Sequence, residues 1–177
     1  METFTELKDF VENPGFTEQR ERALANLDLS SIDVPIVHII SFFAKLPYCF
    51  TLQSCYGHFL YPGQQNANNY KPLPIVDNIK RVEYRIAYIA LCLENNDHGR
   101  ALLQDLSKIP PIDPDYIQIG CADWFWKRQV NSFVLQVEPY RHRYKDRVSV
   151  DYLEARRIEN TRYDFFAYLY TLLYERQ

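Results

Sequence analysis

One segment organises the sequence: Leu46-Pro47-Tyr48-Cys49-Phe50-Thr51-Leu52-Gln53-Ser54-Cys55-Tyr56-Gly57-His58-Phe59. Tyr48, Phe50 and Leu52 alternate with more polar residues, and this two-residue period predicts a half-buried strand. The strand runs into a Ser-Cys-x-Gly turn, where a glycine lets the backbone adopt a positive φ or approach a ligand closely. Small polar groups at the exit of a rigid strand are a common place for a site. We therefore expect the functional site at Ser54–His58.

Length and composition indicate a single globular domain of 177 residues, 47% of them hydrophobic and 24% charged. The net charge of −3 argues against a protein that holds nucleic acid by bulk charge alone, although a local basic patch is compatible with it. The aromatic share of 15% has two interpretations. It indicates either a tyrosine-rich core with a subunit interface, or a surface on which bases or sugars stack.

The four cysteines, at positions 49, 55, 92 and 121, include no C-x-x-C pair. This spacing predicts neither a metal site nor a disulfide framework, and reduced thiols in a cytoplasmic protein are the simplest interpretation. The N-terminal residues are acidic and lack an apolar segment, so we expect no signal peptide. No apolar run is long enough to span a bilayer, and we expect no membrane contact.

Hydrophobic periodicity predicts an α+β fold, with a mixed β-sheet of about four to six strands flanked by helices and a C-terminal helical extension. We expect one domain over 1–177, with an α+β body at 1–147 and a helical segment packed on it at 148–177. Further strands are predicted at His58–Tyr61, as half of a hairpin, and at Val82–Leu93, Tyr116–Cys121 and Asn131–Val137. Helices are predicted at Phe4–Val11, after Thr17, at Ile36–Leu46, at Asp97–Lys108, and from Ser149 to Gln177, where Asn160-Thr161 can divide the last helix.

Two segments adjoin the expected site. Asp33 is the best candidate for the N-cap of the helix that precedes the strand, because Pro35 suits its first turn. The polar loop Pro62–Asn69 is rich in turn residues and is either solvated surface or a flap over the Ser54–His58 turn.

Cysteine and histidine stand three residues apart in the turn. Cys55 beside His58 is either a nucleophile with its base, since a catalytic thiol needs a base within hydrogen-bond reach, or a buried and inert thiol. The sequence contains no Gly-rich phosphate loop and no G-x-S-x-G elbow, so nucleotide sites of the Rossmann and P-loop types are not supported.

Two basic and aromatic clusters lie in the second half of the chain. Arg141, Arg143 and Lys145 are interleaved with aromatic residues, and Lys127 and Arg128 directly follow Trp126, close to Trp124. These cations can contact phosphates while the rings stack on bases. The alternative is a pair of charged turns exposed to solvent.

Three segments resemble the N-terminal half of the tRNA wybutosine-synthesising protein 3 family: Phe16-Thr17-Glu18-Gln19-Arg20, Ser31-Ile32-Asp33-Val34 and Thr51-Leu52-Gln53-Ser54-Cys55-Tyr56-Gly57-His58. In that family an amphipathic helix and an S-I-D segment lead to a helix and then to a strand that ends in a T-x-S-S-C-S-G-R turn. The later strands and helix resemble the family's second half, so the resemblance covers about two thirds of the chain.

The resemblance implies methyl transfer from S-adenosylmethionine to a tricyclic guanosine derivative in phenylalanine tRNA. Asp33, Ser54, Cys55 and Gly57 match the family's pattern. By this resemblance Ser54, Cys55 and Gly57 are the expected cofactor-binding residues. Asp33 and His58 are the expected catalytic residues, Asp33 as a hydrogen-bonding group and His58 as a proton acceptor or an orienting group. Lys127, Arg128, Arg141 and Arg143 are the candidate contacts to tRNA.

Three positions depart from the family's pattern. Gln53 and Tyr56 stand where the family has serine, and His58 stands where it has an arginine, which is charged at every physiological pH. The fold can therefore be shared while the reaction differs. The alternative is a non-catalytic binding or assembly protein on the same fold, a homodimer through the aromatic C-terminal helix with Tyr168, Tyr170 and Tyr174.

Overall fold

The computed structural model describes residues 4–76 and 78–176, which form eight strands and five α-helices. In chain order these are β1 (Phe4–Thr5), α1 (Phe16–Ala25), α2 (Val37–Lys45), β2 (Cys49–Cys55), β3 (His58–Leu60), β4 (Arg81–Arg85), β5 (Ala87–Leu93), α3 (Asp97–Leu106), β6 (Ile117–Ala122), α4 (Asp123–Arg128), β7 (Ser132–Val137), β8 (Arg147–Asp151) and α5 (Tyr152–Tyr174). Short 3₁₀ helices lie at Leu29–Ser31, Val34–Ile36, Pro110–Ile112 and Tyr140–His142.

The strands form two sheets, and every pairing is antiparallel. The larger sheet has the order β1-β6-β7-β5-β2, and the smaller has the order β3-β4-β8. The predicted α+β class with a C-terminal helix is thus confirmed.

Strand β5 shows why the larger sheet is covered on both faces. Ala87, Ile89, Leu91 and Leu93 belong to the main core, which α2, α3 and α5 close with side chains such as Phe43, Leu102 and Phe165. The intervening Ala90 and Cys92 belong to two smaller clusters on the opposite face, beneath α4 and α1. A nearly continuous apolar strand requires this arrangement.

Two segments, 49–60 and 81–93, each contribute one strand to the larger sheet and one to the smaller sheet. They pair with each other in both sheets, and the place where they pass from one sheet to the other is called the crossing here. Cys55 lies opposite Tyr88 in the larger sheet, and His58 lies opposite Arg85 in the smaller. The apolar run that predicts one strand at Val82–Leu93 is therefore two strands, interrupted at Ile86. The segment predicted as half of a hairpin pairs with β4 instead of β2.

Tyr84 is fully buried at this crossing. Its hydroxyl donates a hydrogen bond to the Val137 carbonyl oxygen at 2.7 Å and accepts one from the Ala87 N–H at 2.9 Å. These bonds satisfy the backbone groups of Ala87 and Val137, which lie opposite each other at the end of the β5–β7 pairing. The predicted strand breaks beside this position, between Arg85 and Ala87, and no glycine or proline signals that in the sequence.

The predicted helix at Phe4–Val11 is wrong. Phe4 and Thr5 extend the larger sheet by pairing with Ala122 and Cys121 of β6. A Cβ atom at Gly120 would lie 2.2 Å from the Thr5 carbonyl oxygen, so the absence of a side chain there allows the edge strand to approach. The remaining residues to position 15 contain no helix or strand.

The last helix also differs from its prediction. Residues 147–151 form β8, which pairs with β4, so Asp151 caps α5 through a hydrogen bond from the Glu154 N–H and Ser149 does not. The helix runs unbroken through Asn160-Thr161. The Thr161 hydroxyl donates a hydrogen bond to the Asp113 carboxylate at 3.0 Å, so it does not compete with the helical hydrogen bonds of the backbone. Gln177 lies outside the described residues.

The helix at Asp97–Leu106 begins as predicted, with the Asn96 side chain accepting a hydrogen bond from the Gly99 N–H. Each of the four cysteines lies within the described residues and is a free thiol. In the described part of the chain, no helix combines the length and the apolar character needed to span a membrane.

Candidate functional site

A cavity of about 530 Å³ lies where the two long segments cross between the sheets. Its floor is a row of side chains on one face of the larger sheet, since Cys55 lies opposite Tyr88 and Tyr88 lies opposite Gln136. Asp33, Ser54 and His58 line one side. A volume of this size suits a small ligand.

Asp33 is the most heavily hydrogen-bonded group at the cavity. It occupies the N-cap position of a 3₁₀ helix, but its side chain makes no capping bond. Oδ2 instead accepts a hydrogen bond from the Tyr56 N–H at 2.7 Å, and Oδ1 accepts one from the Tyr70 hydroxyl at 2.9 Å. Nε2 of His58 lies 3.4 Å from Oδ2. The expected capping role is therefore wrong, because the carboxylate is directed at the turn.

These contacts set the charges of the pair. Burial acts to raise the pKa of Asp33, but the interaction with His58 and the hydrogen bonds from Tyr56 and Tyr70 outweigh it and lower this pKa to about 2. The Asp33 carboxylate, and after it the neighbouring Cys55 side chain, raise the pKa of His58 to about 9 against the opposing effect of burial. His58 is therefore an imidazolium at neutral pH, which favours the expected orienting role over that of a proton acceptor.

Cys55 completes a compact cluster with this pair. The Cys55 Sγ, one nitrogen of His58 and one carboxylate oxygen of Asp33 all lie within 4.8 Å of one another. Sγ accepts a hydrogen bond from the Gly57 N–H at 3.4 Å. His58 is 9% exposed, and its Nδ1 has no hydrogen-bond partner among the described residues. The thiol is partly exposed and lines the cavity.

Gly57 shapes the turn from behind the cavity. Its φ is +88°, and a Cβ atom there would lie 2.9 Å from the Ala87 Cβ and 3.1 Å from the Ala87 nitrogen. Both the conformation and the close approach require glycine. Gly57 is buried and is not part of the cavity wall, so among the expected cofactor-binding residues only Ser54 and Cys55 face the cavity.

Arg162 of α5 supports the same turn and was not predicted. Its Nη1 donates to the Gly57 carbonyl oxygen at 2.6 Å, and its guanidinium lies 4.1 Å from the centre of the Tyr56 ring and 4.9 Å from that of Phe59. The side chain is buried. The sequence gives one signal for this contact, which is the presence of an arginine on an apolar helical face. That arginine lies 105 residues beyond Gly57.

The wall opposite Asp33 is basic and aromatic. Arg85, Arg143, Lys145 and Arg147 line the cavity, with Asp146 as the carboxylate among them, and Trp124 and Tyr144 supply flat apolar surface. Arg143 stacks on Tyr144, with its guanidinium 4.3 Å from the ring centre. This local excess of cations contrasts with the net charge of −3 of the whole chain.

The four cations predicted to contact nucleic acid are divided by the fold. Arg143 lines the cavity, and Arg128 stacks at 3.9 Å on Trp124, which also lines it. Arg141 forms an ion pair with Glu154 outside the cavity, and Lys127 is exposed on α4, also outside it. Lys145, the third cation of the cluster that contains Arg141 and Arg143, also lines the cavity. The hydroxyl of Tyr70 and the cations Arg85 and Arg147 were not predicted, because a short β-pairing or a loop brings each of them to the site.

The segment that follows the polar loop is held against the body. Beyond residues 62–69, the Leu73 N–H donates to Glu159 Oε1 at 2.7 Å and Arg156 donates to the Leu73 carbonyl oxygen at 3.0 Å. Tyr152 donates to the Pro74 carbonyl oxygen. The segment thus reaches Asp33 through Tyr70 and is fixed to α5 on its far side.

Comparisons of the chain with protein-family models, with curated proteins and with solved structures find no match.

Proposed function

We propose that the chain is an enzyme that binds a tRNA nucleoside in the cavity and methylates it with S-adenosylmethionine. The observation that carries the proposal is the meeting of the Ser54–His58 turn with the basic and aromatic wall in one cavity. Cations that face a cavity beside stacking rings suit a ligand that has phosphate and a base. The methyl transfer itself is supported by the resemblance of residues 16–20, 31–34 and 51–58 to the wybutosine-synthesising family.

The residues present fit the cofactor chemically. Trp124 and Tyr144 can stack on a purine or face a sulfonium cation. The Ser54 hydroxyl can hydrogen-bond a ribose or an amino-acid group. S-adenosylmethionine would supply the methyl group, and such a transfer needs alignment and exclusion of water more than a covalent nucleophile.

The chain's own groups have defined roles in this proposal. The Asp33–His58 pair is held in one orientation by Tyr56 and Tyr70, so His58 presents a fixed, charged N–H donor next to the cavity. That donor can orient an oxygen of the base. Arg143 and Arg147 hold the phosphates flanking the nucleoside.

Binding of nucleotide and of cofactor can be measured separately by calorimetry, and methyl transfer by incorporation of label from S-adenosylmethionine into tRNA. Arg143→Gln and Arg147→Gln should each weaken tRNA binding several-fold and reduce its salt dependence by about one phosphate contact. Arg141→Gln, two residues away but outside the cavity, is the matched control and should bind like the parent. Absence of any heat or thermal shift with saturating S-adenosylmethionine and tRNA would overturn the proposal.

A homodimer formed through α5 is the second candidate, and exposed tyrosines favour it. Of the tyrosines expected there, Tyr170 and Tyr174 are 42% and 64% exposed and share a helical face with Tyr163, which is 68% exposed, whereas the helical period places Tyr168 on another face. Tyrosine is enriched in interfaces because it combines apolar surface with a hydroxyl group. Light scattering at high concentration should then give twice the monomer mass, and Tyr163→Ser with Tyr174→Ser should shift it to the monomer. A monomeric parent would refute this candidate.

A further inference from the structure

We propose that Asp33, Cys55 and His58 form a binding site for a zinc ion at the floor of the cavity. The three side chains offer a carboxylate oxygen, a thiolate sulfur and an imidazole nitrogen, and these atoms lie within 4.8 Å of one another. They come from three places, the start of the α2 region, the end of β2 and the start of β3, that the fold brings together. This assignment rests on the geometry of the cluster and not on the proposed methyl transfer. In the zinc-bound protein His58 is a neutral ligand and takes the place of the charged donor described above.

The distances suit a tetrahedral ion better than a simple ion pair. His58 Nε2 and Asp33 Oδ2 are 3.4 Å apart, longer than the 2.7–2.9 Å typical of a charged hydrogen bond. Two nitrogen or oxygen ligands of zinc at a tetrahedral angle are separated by roughly 3.3 Å. The pair therefore already has the spacing of one edge of a zinc site, and the Cys55 sulfur lies within 4.8 Å of the ligand atoms of both residues.

Supporting hydrogen bonds hold the three ligands. The Gly57 N–H donates to the Cys55 Sγ, and Tyr56 and Tyr70 donate to the two oxygens of Asp33. Such outer contacts orient ligands and tune a bound metal. The ring of His58 is nine-tenths buried, with Nδ1 unpartnered among the residues that the structure describes. With Nε2 as the ligand, Nδ1 is the second ring position, through which a metal-bound histidine donates a hydrogen bond to an outer acceptor such as a water molecule.

The ligand set and the charge balance identify the ion. Mixed sulfur, nitrogen and oxygen ligands favour zinc over magnesium or calcium, which prefer oxygen alone. A divalent ion with one thiolate and one carboxylate forms a neutral centre, which the cations Arg85, Arg143 and Arg147 on the opposite wall tolerate. Three protein ligands leave a fourth position that faces the cavity, which is the arrangement of zinc sites that bind a water molecule or a substrate.

The test is a metal titration of the full chain after dialysis against a chelator. Cobalt should bind with one equivalent and give the near-ultraviolet charge-transfer band of a cobalt–thiolate bond, and zinc should displace it. Cys55→Ser should abolish the band, and Cys55→Ser and His58→Ala should each weaken zinc binding at least about tenfold. Cys121→Ala and His98→Ala change a cysteine and a histidine outside the cluster and should bind zinc within about twofold of the parent.

A measurement on the parent protein covers the case in which a variant fails to fold. Bound zinc should slow the alkylation of Cys55 by iodoacetamide, followed by mass spectrometry of the peptide that contains it. Equal alkylation rates with and without zinc, a cobalt spectrum without the thiolate band, or equal zinc affinity in Cys55→Ser would each overturn the site. Failure of S-adenosylmethionine or tRNA to bind would leave these metal measurements unchanged, so the two proposals fail independently.

Discussion

Asp33 and His58 show how two side chains fix each other's charge. A carboxylate that accepts hydrogen bonds at both oxygens remains ionised, and its charge in turn keeps the neighbouring imidazole protonated. The contribution of His58 to the free energy of unfolding is therefore complete below about pH 6.5 and is lost as the pH rises through about 9. The contribution of Asp33 to the free energy of unfolding is complete above about pH 4 and is lost as the pH falls through about 2.

The effect of Asp33 on the pKa of His58 can be measured on the imidazole ring. In metal-free protein, NMR titration of the histidine ring protons should give His58 a pKa of about 9. Asp33→Asn keeps the shape and removes the charge, so burial should then lower the pKa of His58 by more than about one unit relative to the parent. A pKa that is unchanged in Asp33→Asn would show that the carboxylate is not its cause.

Glu138 is a second residue whose ionisation the fold opposes. It is fully buried, and both carboxylate oxygens lack a hydrogen-bond partner among the described residues. Burial, with a smaller effect of Asp146, raises the pKa of Glu138 to about 9. Folding therefore takes up a proton at neutral pH, and this residue lowers the free energy of unfolding as the pH rises from about 5 to about 9.

Glu138→Gln should remove that pH dependence. In this range the free energy of unfolding of the parent falls by up to about 1.4 kcal/mol for each pH unit. Between pH 5 and pH 8 the free energy of unfolding of the variant should therefore rise by about 2–4 kcal/mol relative to that of the parent. Urea unfolding at the two pH values measures the difference. The exposed Glu21→Gln should follow the parent at both, and a constant gap between Glu138→Gln and the parent would contradict the protonated state.

At the scale of elements, the turn between β2 and β3 depends on the strand beside it. Gly57 has both a positive φ and close contact with Ala87. Gly63 has a similar φ of +89°, but a Cβ atom added there would have no other atom within 4 Å. A substitution at Gly63 therefore tests the cost of the backbone conformation alone, and one at Gly57 tests that cost together with a steric clash.

Gly63→Ala should cost only the strain of the left-handed conformation, about 1–2 kcal/mol. Gly57→Ala should cost about 2 kcal/mol more, since the added methyl group meets the Ala87 backbone in a packed interior. Urea midpoints with unchanged slopes give both values. Equal losses at the two positions would mean that Ala87 moves away without penalty.

Helix α5 supports the turn through Arg162. Arg162→Met keeps the length of the side chain and removes its hydrogen bond, leaving the buried Gly57 carbonyl oxygen unsatisfied, so a loss of about 1.5–3 kcal/mol is expected. Arg157→Met is the control on the same helix, because its half-exposed ion pairs at 3.4 and 4.0 Å should contribute less than about 1 kcal/mol. Thermal unfolding of the two variants should rank them in this order, and the reverse order would refute the role of Arg162.

The sequence predicts elements better than it predicts their partners. The period-2 pattern of Tyr48–Leu52 and the Asn96 cap identify local structure that the fold retains, and the turn at Ser54–His58 lies where the site was expected. The crossing at Ile86 has no local signal, because an apolar run continues through it. The edge strand at Phe4–Thr5 has apolar spacing that suits a helix equally well, and only the distant Gly120 decides between them.

At the scale of the whole molecule, the site depends on contacts between distant parts of the chain. The sequence predicts Asp33 as a residue of the site, but it does not predict Tyr70, Arg147 or Arg162. Their positions follow from pairing between strands and from the packing of α5, neither of which a local sequence pattern encodes.

Removal of residues 152–177 should prevent folding. Helix α5 buries Ala155, Ile158, Phe165, Phe166, Leu169 and Leu173 in the main core. At about 1.5–3 kcal/mol for each large apolar side chain, their loss is comparable to the whole stability of a domain of this size. Circular dichroism and proton NMR of residues 1–151 should show an unfolded chain, and a cooperative unfolding transition in that fragment would contradict this.

The contact between Arg162 and the turn also has a consequence for biosynthesis. The turn leaves the ribosome about a hundred residues before the arginine that holds its carbonyl oxygen. Because a domain generally folds as a unit and this one needs α5 for its core, the nascent chain has no formed cavity throughout that interval. Affinity for small molecules should therefore arise in a single late step, once position 162 has cleared the exit tunnel.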